Sequence, residues 1–271
     1  MPDSAGPEGR PPQTLPILRE NLFPQAPSAP PHRVLVAVAH GSADPRASAT
    51  IADLAAMARE RSPGLDLRAA FLDHAPPSLP QVLNTVEADR EVTVLPLLLT
   101  AAYHSKADIP RMLTRLPRPR VSYGATLGPH PLLLRALERR LAEVDPQADP
   151  GQTAVVLAAA GSSDHEANAT IARLAAQWQA RSGWFAVWPA YASAAEPSPA
   201  AAVADLLRAG APRVVVATYL LAPGLFADRI RQSALAAGAA AVSPALGACP
   251  EVADVLLDRF AEAGSRRRTA A

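Results

Sequence analysis

Residues 38–55 (VAHGSADPRASATIADLA) return 120 positions later as residues 158–175 (AAAGSSDHEANATIARLA), with 11 of the 18 positions identical. Self-similarity at so long a fixed period means that one folding unit is written twice. The same shift lays Phe71 on Tyr191 and Pro77-Ser78 on Pro197-Ser198. With small drift it lays Leu98-Leu99 on Leu220-Leu221 and Leu127-Gly128 on Leu246-Gly247. The chain has 271 residues, and its first 31 hold nine of its 29 prolines. Setting that stretch aside leaves 240 residues, two copies of 120. The expected organisation is a disordered Pro-rich extension (1–31), an N-terminal lobe (32–148), a C-terminal repeat lobe (149–263) and a disordered basic tail (264–271).

Each copy alternates strand and helix signals. Residues 34–39 form a short β-branched apolar run, the pattern of a strand buried on both faces. Asp44 and Pro45 then supply an N-cap and a proline for the first helical turn. Behind them Ile51, Leu54, Ala55 and Ala58 fall at helical spacing on one face. Further strands are expected near 66–72, 92–98 and 121–125, with helices near 79–89, 108–115 and 131–143. The second copy repeats this, with strands near 154–159, 185–191, 213–218 and 239–243. The predicted fold class is α/β: two tandem, doubly wound lobes, each a four-stranded parallel sheet with helices on both faces. In such sheets ligands gather outside the carboxyl ends of the strands.

Composition narrows the function classes. Twenty-six basic against 25 acidic residues leave a net charge of +1, which provides no electrostatic footprint for nucleic acid or an anionic membrane. The single cysteine, Cys249, excludes a disulfide framework and a CxxC zinc site. Neither a secretory pattern nor a long uninterrupted apolar run occurs, so a cytoplasmic protein is expected, monomeric or homodimeric. No phosphate-cradling GxGxxG or GxxxxGK[ST] follows any predicted strand, so no nucleotide is expected.

The duplication provides an internal control. Gly41/Gly161, Ser42/Ser162 and Asp44/Asp164 are shared, and their first role is the strand-to-helix turn and its cap. The polar residues found in one copy only point to chemistry instead. His40 corresponds to Ala160, His104 to Phe226, His130 to Cys249 and Asp73 to Ser193. All four first-copy residues fall at or just beyond strand ends, where a parallel sheet gathers them on one rim. Imidazoles beside a carboxylate suit Fe, Co, Ni or Zn divalent ions.

The motifs AHGSADPR (39–46), AFLD (70–73), LPLLL (95–99), YHSKADIP (103–110) and LGPHP (127–131) together resemble the sirohydrochlorin chelatases. The resemblance covers about 33–263, including a degenerate second half like that of the long, two-lobed members. It implies an ATP-independent lyase that inserts a divalent metal into sirohydrochlorin for sirohaem or cobalamin. The metal is a substrate, Fe²⁺ or Co²⁺, with Ni²⁺ as a further candidate.

The resemblance also implies that His40 and His104 are catalytic and metal-binding. Asp73 stands as a weaker ligand where many members carry the longer glutamate. His74 beside it is an alternative ligand if the loop is rotated, with a solvated loop histidine as the default reading. An imidazole titrating near neutrality can both hold an ion loosely and accept a pyrrole proton. For a polycarboxylate substrate, Arg46, Lys106 and Arg111 are the expected cations, with Ser42 and Ser105 as neighbouring binding groups. In the second copy Phe226 or Tyr219 is a candidate wall for the macrocycle, with core packing as the default for each. The rival reading keeps the pocket without turnover, as a metal or tetrapyrrole carrier. A histidine phosphatase is disfavoured, because Ala39 stands where an arginine should precede the histidine.

Overall fold

The computed structural model describes residues 33–101, 104–115 and 121–270, apart from the side chains of His104 and of 266–270. The Pro-rich extension expected at 1–31 lies outside the described residues. The first repeat runs β1 (Arg33–Ala39), α1 (Pro45–Arg61), β2 (Asp66–Phe71), α2 (Leu79–Asn84) and β3 (Glu91–Pro96). It continues through a π-helical turn (His104–Asp108), α3 (Ile109–Thr114), β4 (Val121–Tyr123) and α4 (Pro131–Val144). The second repeat runs β5 (Thr153–Ala159), α5 (His165–Arg181), β6 (Ala186–Tyr191), α6 (Pro199–Arg208), β7 (Arg213–Tyr219), α7 (Leu225–Ala236), β8 (Ala241–Val242) and α8 (Pro250–Ala270).

Each repeat builds one parallel four-stranded sheet, ordered β2-β1-β3-β4 and β6-β5-β7-β8. The β-branched runs of β1 and β5 are buried along their apolar length, as central strands covered on both faces must be. Both strand-to-helix turns are built alike. The Asp44 carboxylate accepts from the Arg46 backbone N–H, and Asp164 from that of Glu166, each at 2.9 Å. Behind each cap a serine Oγ accepts from the aspartate N–H, Ser42 and Ser162 both at 3.1 Å. These are the turn roles the shared residues predict.

Two elements differ from the expectation. Helix α2 ends at Asn84, not near 89. The Thr85 hydroxyl turns back to donate to Val82 O at 2.7 Å, and Arg68 Nη1 donates to Thr85 O at 3.0 Å. The last turn is thus satisfied without continuation. Helix α8 runs through 264–270, where a loose tail is expected from composition. Its end docks on the start of β1. The Arg33 guanidinium lies 4.3 Å from the Phe260 ring centre, and it crowds the place a Gly264 side chain would take.

The repeats exchange their last helices. Helix α4 of the first repeat packs on β7 and β8 of the second, whereas α8 of the second packs on α1 and β3 of the first, and the two helices also touch. One continuous core results, from Leu35, Leu95 and Leu133 through Leu157 and Val215 to Val252. The outer face of each sheet has its own cluster, around Val36, Leu83 and Ile109 in one and Val156, Leu206 and Ile230 in the other. Among the described residues no helix is long and apolar enough to cross a membrane.

Candidate active site at the strand rim

The pairing of β1 with β2 continues past the strands themselves. Leu72 N donates to Ala39 O at 3.0 Å and Asp73 N donates to His40 O at 2.9 Å, which sets His40 and Asp73 side by side at the carboxyl rim. Gly41 makes this possible. Its φ is +92°, and a Cβ there would collide with the Asp73 carbonyl oxygen. Gly161 stands in the same relation to Ser193, so the backbone device is common to both repeats. Only the side chains on it differ.

His74 follows in the left-handed region, φ 61°, as does its counterpart Ala194, φ 58°. Histidine is among the residues that tolerate this region. The His74 ring lies within 15° of parallel to the His40 ring, with centroids 6.4 Å apart. Asp73 holds it from both ends. One carboxylate oxygen accepts from His74 N at 2.8 Å, and the other stands 3.4 Å from His74 Nε2.

An open pocket of about 420 Å³ is lined by His40, Leu72, Asp73, Asp108, Arg111, Met112 and Arg115, with His74 beside it rather than in its lining. Asp108 closes the π-helical turn that His104 opens, and Arg111 and Met112 extend it along α3. Their spacing of three and four residues from Asp108 is a helical-face signal by which the sequence could have flagged Met112. The structure thus brings together His40, Asp73, His74 and Arg111. The His104 side chain lies outside the described residues. Among the described residues no three His, Cys, Asp or Glu side chains form a ready metal cluster.

Of the remaining expected residues, Arg46, Lys106, Ser42 and Ser105 do not line this pocket. Arg46 is paired with Asp44 and, across the lobes, with Asp228, both at 2.6 Å. The bond from Arg46 lowers the Asp44 pKa, and the two aspartates together raise that of Arg46. Lys106 Nζ donates across the lobes to Asp164 at 2.7 Å and lowers that carboxyl's pKa. Two ion pairs therefore tie the first repeat to the N-terminal ends of α5 and α7. Ser42 serves the α1 turn and lies beside Gly224. Ser105 is buried, and its carbonyl accepts from the Tyr123 hydroxyl at 2.9 Å.

The second-copy aromatics separate. Tyr219 is buried, its hydroxyl donating to Leu99 O at 3.2 Å, so it belongs to the shared core. Phe226 is exposed at the start of α7 beside the still more exposed Leu225. His130 caps α4, its Nδ1 accepting from Leu132 N at 3.3 Å. Burial, and then Arg259, lower its pKa. It lines a separate hollow with Asp258 and Glu262, so its part is structural. Cys249 is a buried thiol.

A family model described as CbiX matches the chain twice, at residues 34–144 and 154–263. The chain is 27% identical over 203 residues to a sirohydrochlorin cobaltochelatase of Priestia megaterium, covering 72% of this chain and 66% of that protein. It is 27% identical over 179 residues to a sirohydrochlorin ferrochelatase of Bacillus subtilis (strain 168), covering 63% and 68%. Among solved structures it is similar in fold to SirB from Bacillus subtilis with Fe³⁺, with a TM-score of 0.75 and 23% identity over 88% of this chain and 97% of that one.

Proposed function

The chain belongs to the CbiX family, and from that membership we propose that it inserts a divalent metal ion, Fe²⁺ or Co²⁺, into sirohydrochlorin without a nucleotide. The observation that carries the reading is the asymmetry of two otherwise matching rims. His40 and Asp73 adjoin in the first repeat, where Ala160 and Ser193 occupy the same backbone device in the second. The relatives named for cobalt and for iron stand at the same 27% identity, which favours neither metal.

In this reading His40, His104 and Asp73 hold the incoming ion, while the remaining coordination positions exchange water for pyrrole nitrogen. Insertion releases two pyrrole N–H protons as the ion takes their place. A neutral imidazole on the rim accepts them in turn and passes them to water. Arg111, in the pocket wall, receives a substrate carboxylate. Arg46 and Lys106 are held nearby by aspartates, and substrate carboxylates compete with those partners for them. Both pairs are solvent-exposed, where water screens the attraction, so a substrate carboxylate can replace either partner readily.

The test mixes purified protein anaerobically with sirohydrochlorin and Co²⁺ or Fe²⁺ and follows the absorption change. Insertion well above the protein-free rate is expected, together with a loss of about 100-fold or more in His104→Ala at unchanged circular dichroism. A rate equal to the protein-free control overturns the enzyme and leaves the carrier reading.

A further inference from the structure

The Asp73–His74 pair is built differently from a carboxylate that simply points at an ion. Both carboxylate oxygens face His74, one accepting a hydrogen bond from its backbone N–H and the other standing 3.4 Å from Nε2, within ion-pair reach. A carboxylate set against one ring nitrogen orients the imidazole and leaves the opposite nitrogen, Nδ1, as the ligating one. His74 is also parallel to His40 at 6.4 Å between ring centres. With metal–nitrogen bonds of about 2.1 Å, and ring centres about 1.1 Å beyond each nitrogen, two imidazoles sharing an ion have centroids roughly 4.5 Å apart at right angles and roughly 6.4 Å apart when opposed. The two rings stand within that reach but are stacked, so their in-plane lone pairs must turn toward a shared ion, and both rings are exposed enough to turn.

The second repeat supplies the control. It keeps the left-handed backbone at Ala194 and the approach of residues 160 and 193, yet carries no imidazole at either 160 or 194. The two histidines are therefore absent together from the second rim, on a turn that does not itself demand histidine.

We propose that His74 is a direct ligand of the metal substrate through Nδ1, paired with His40, and that Asp73 positions it. This rests on the reading of the rim as the metal-insertion site. It assigns the first repeat an imidazole pair on one turn, and it recasts Asp73 as the group that orients one member.

The experiment uses the full chain with metal alone. Zn²⁺ is titrated into protein carrying ¹⁵N-histidine, and Co²⁺ affinity is measured by calorimetry for wild type, His74→Asn, Asp73→Asn, His40→Ala and His165→Ala. Asparagine tolerates the left-handed region, and His165 is an exposed histidine at the start of α5, in the second repeat. The expected result is a Zn²⁺-dependent shift of His74 Nδ1, with Co²⁺ affinity at least ten-fold weaker in His74→Asn and His40→Ala and unchanged in His165→Ala. Asp73→Asn weakens binding and scatters the His74 signal, as loss of an orienting partner does. Wild-type affinity in His74→Asn with weakened Asp73→Asn and His40→Ala overturns the proposal and returns the ligand role to Asp73. An unshifted His74 Nδ1 at saturating Zn²⁺ overturns it whatever the variants do. Wild-type affinity in both histidine variants overturns it together with the rim as a metal site.

Discussion

Gly41 and Gly64 both have positive φ, +92° and +84°, yet they face different surroundings. A methyl on Gly41 meets the Asp73 backbone, whereas one on Gly64 meets nothing within 4 Å. Gly64→Ala should cost only the left-handed strain, about 1–2 kcal/mol. Gly41→Ala should cost clearly more and weaken Co²⁺ binding as well, because Asp73 must move. Urea unfolding of the two variants checks this, and equal losses would mean that the close approach is not what Gly41 serves. At this scale much of the site was legible in the sequence. His40 and Asp73 could be set side by side because a parallel sheet delivers strand ends to one edge, whereas Arg111, on α3, was reached through the motif it stands in. The partners of Arg46 and Lys106 could not, since Asp228 and Asp164 lie in the other repeat and no periodicity relates them.

Among the helices, α4 and α8 carry the exchange, and Arg139–Glu251 joins them at 2.6 Å. The bond from Arg139 holds the Glu251 pKa below its ordinary value near 4.5. A carboxylate depressed in the folded state adds stability above its unfolded pKa and loses it as pH falls through the native value. Glu251→Gln should therefore destabilise the protein at neutral pH, and the difference from wild type should fade below about pH 4.5. Denaturant titrations at pH 7 and at progressively lower pH measure it; a difference that persists in acid would place the effect in packing. Element positions were legible from apolar runs and caps, with α2 and α8 misjudged at their ends. Which sheet a helix covers was not. The spacing of Leu133, Leu137 and Leu141 marks an apolar face on α4, but the same stripe suits the sheet of either repeat.

For the molecule as a whole, the shared core predicts one unfolding event. All three tryptophans, Trp178, Trp184 and Trp188, lie in the second repeat, whereas far-ultraviolet circular dichroism reports on both. The two signals should follow one urea transition. Leu133→Ala, a fully buried change in the first repeat, should cost about 2–5 kcal/mol and shift both signals together. A tryptophan transition that stays in place would mean that the repeats unfold separately. The helix exchange has a further consequence for how such a chain can change. Each half is the roof of the other, so the half without the rim histidines is retained by architecture and cannot be discarded as surplus. Its rim carries no such obligation: positions 160, 193 and 226 are an unoccupied plot on a standing foundation, where side chains can be replaced while the other half stays roofed.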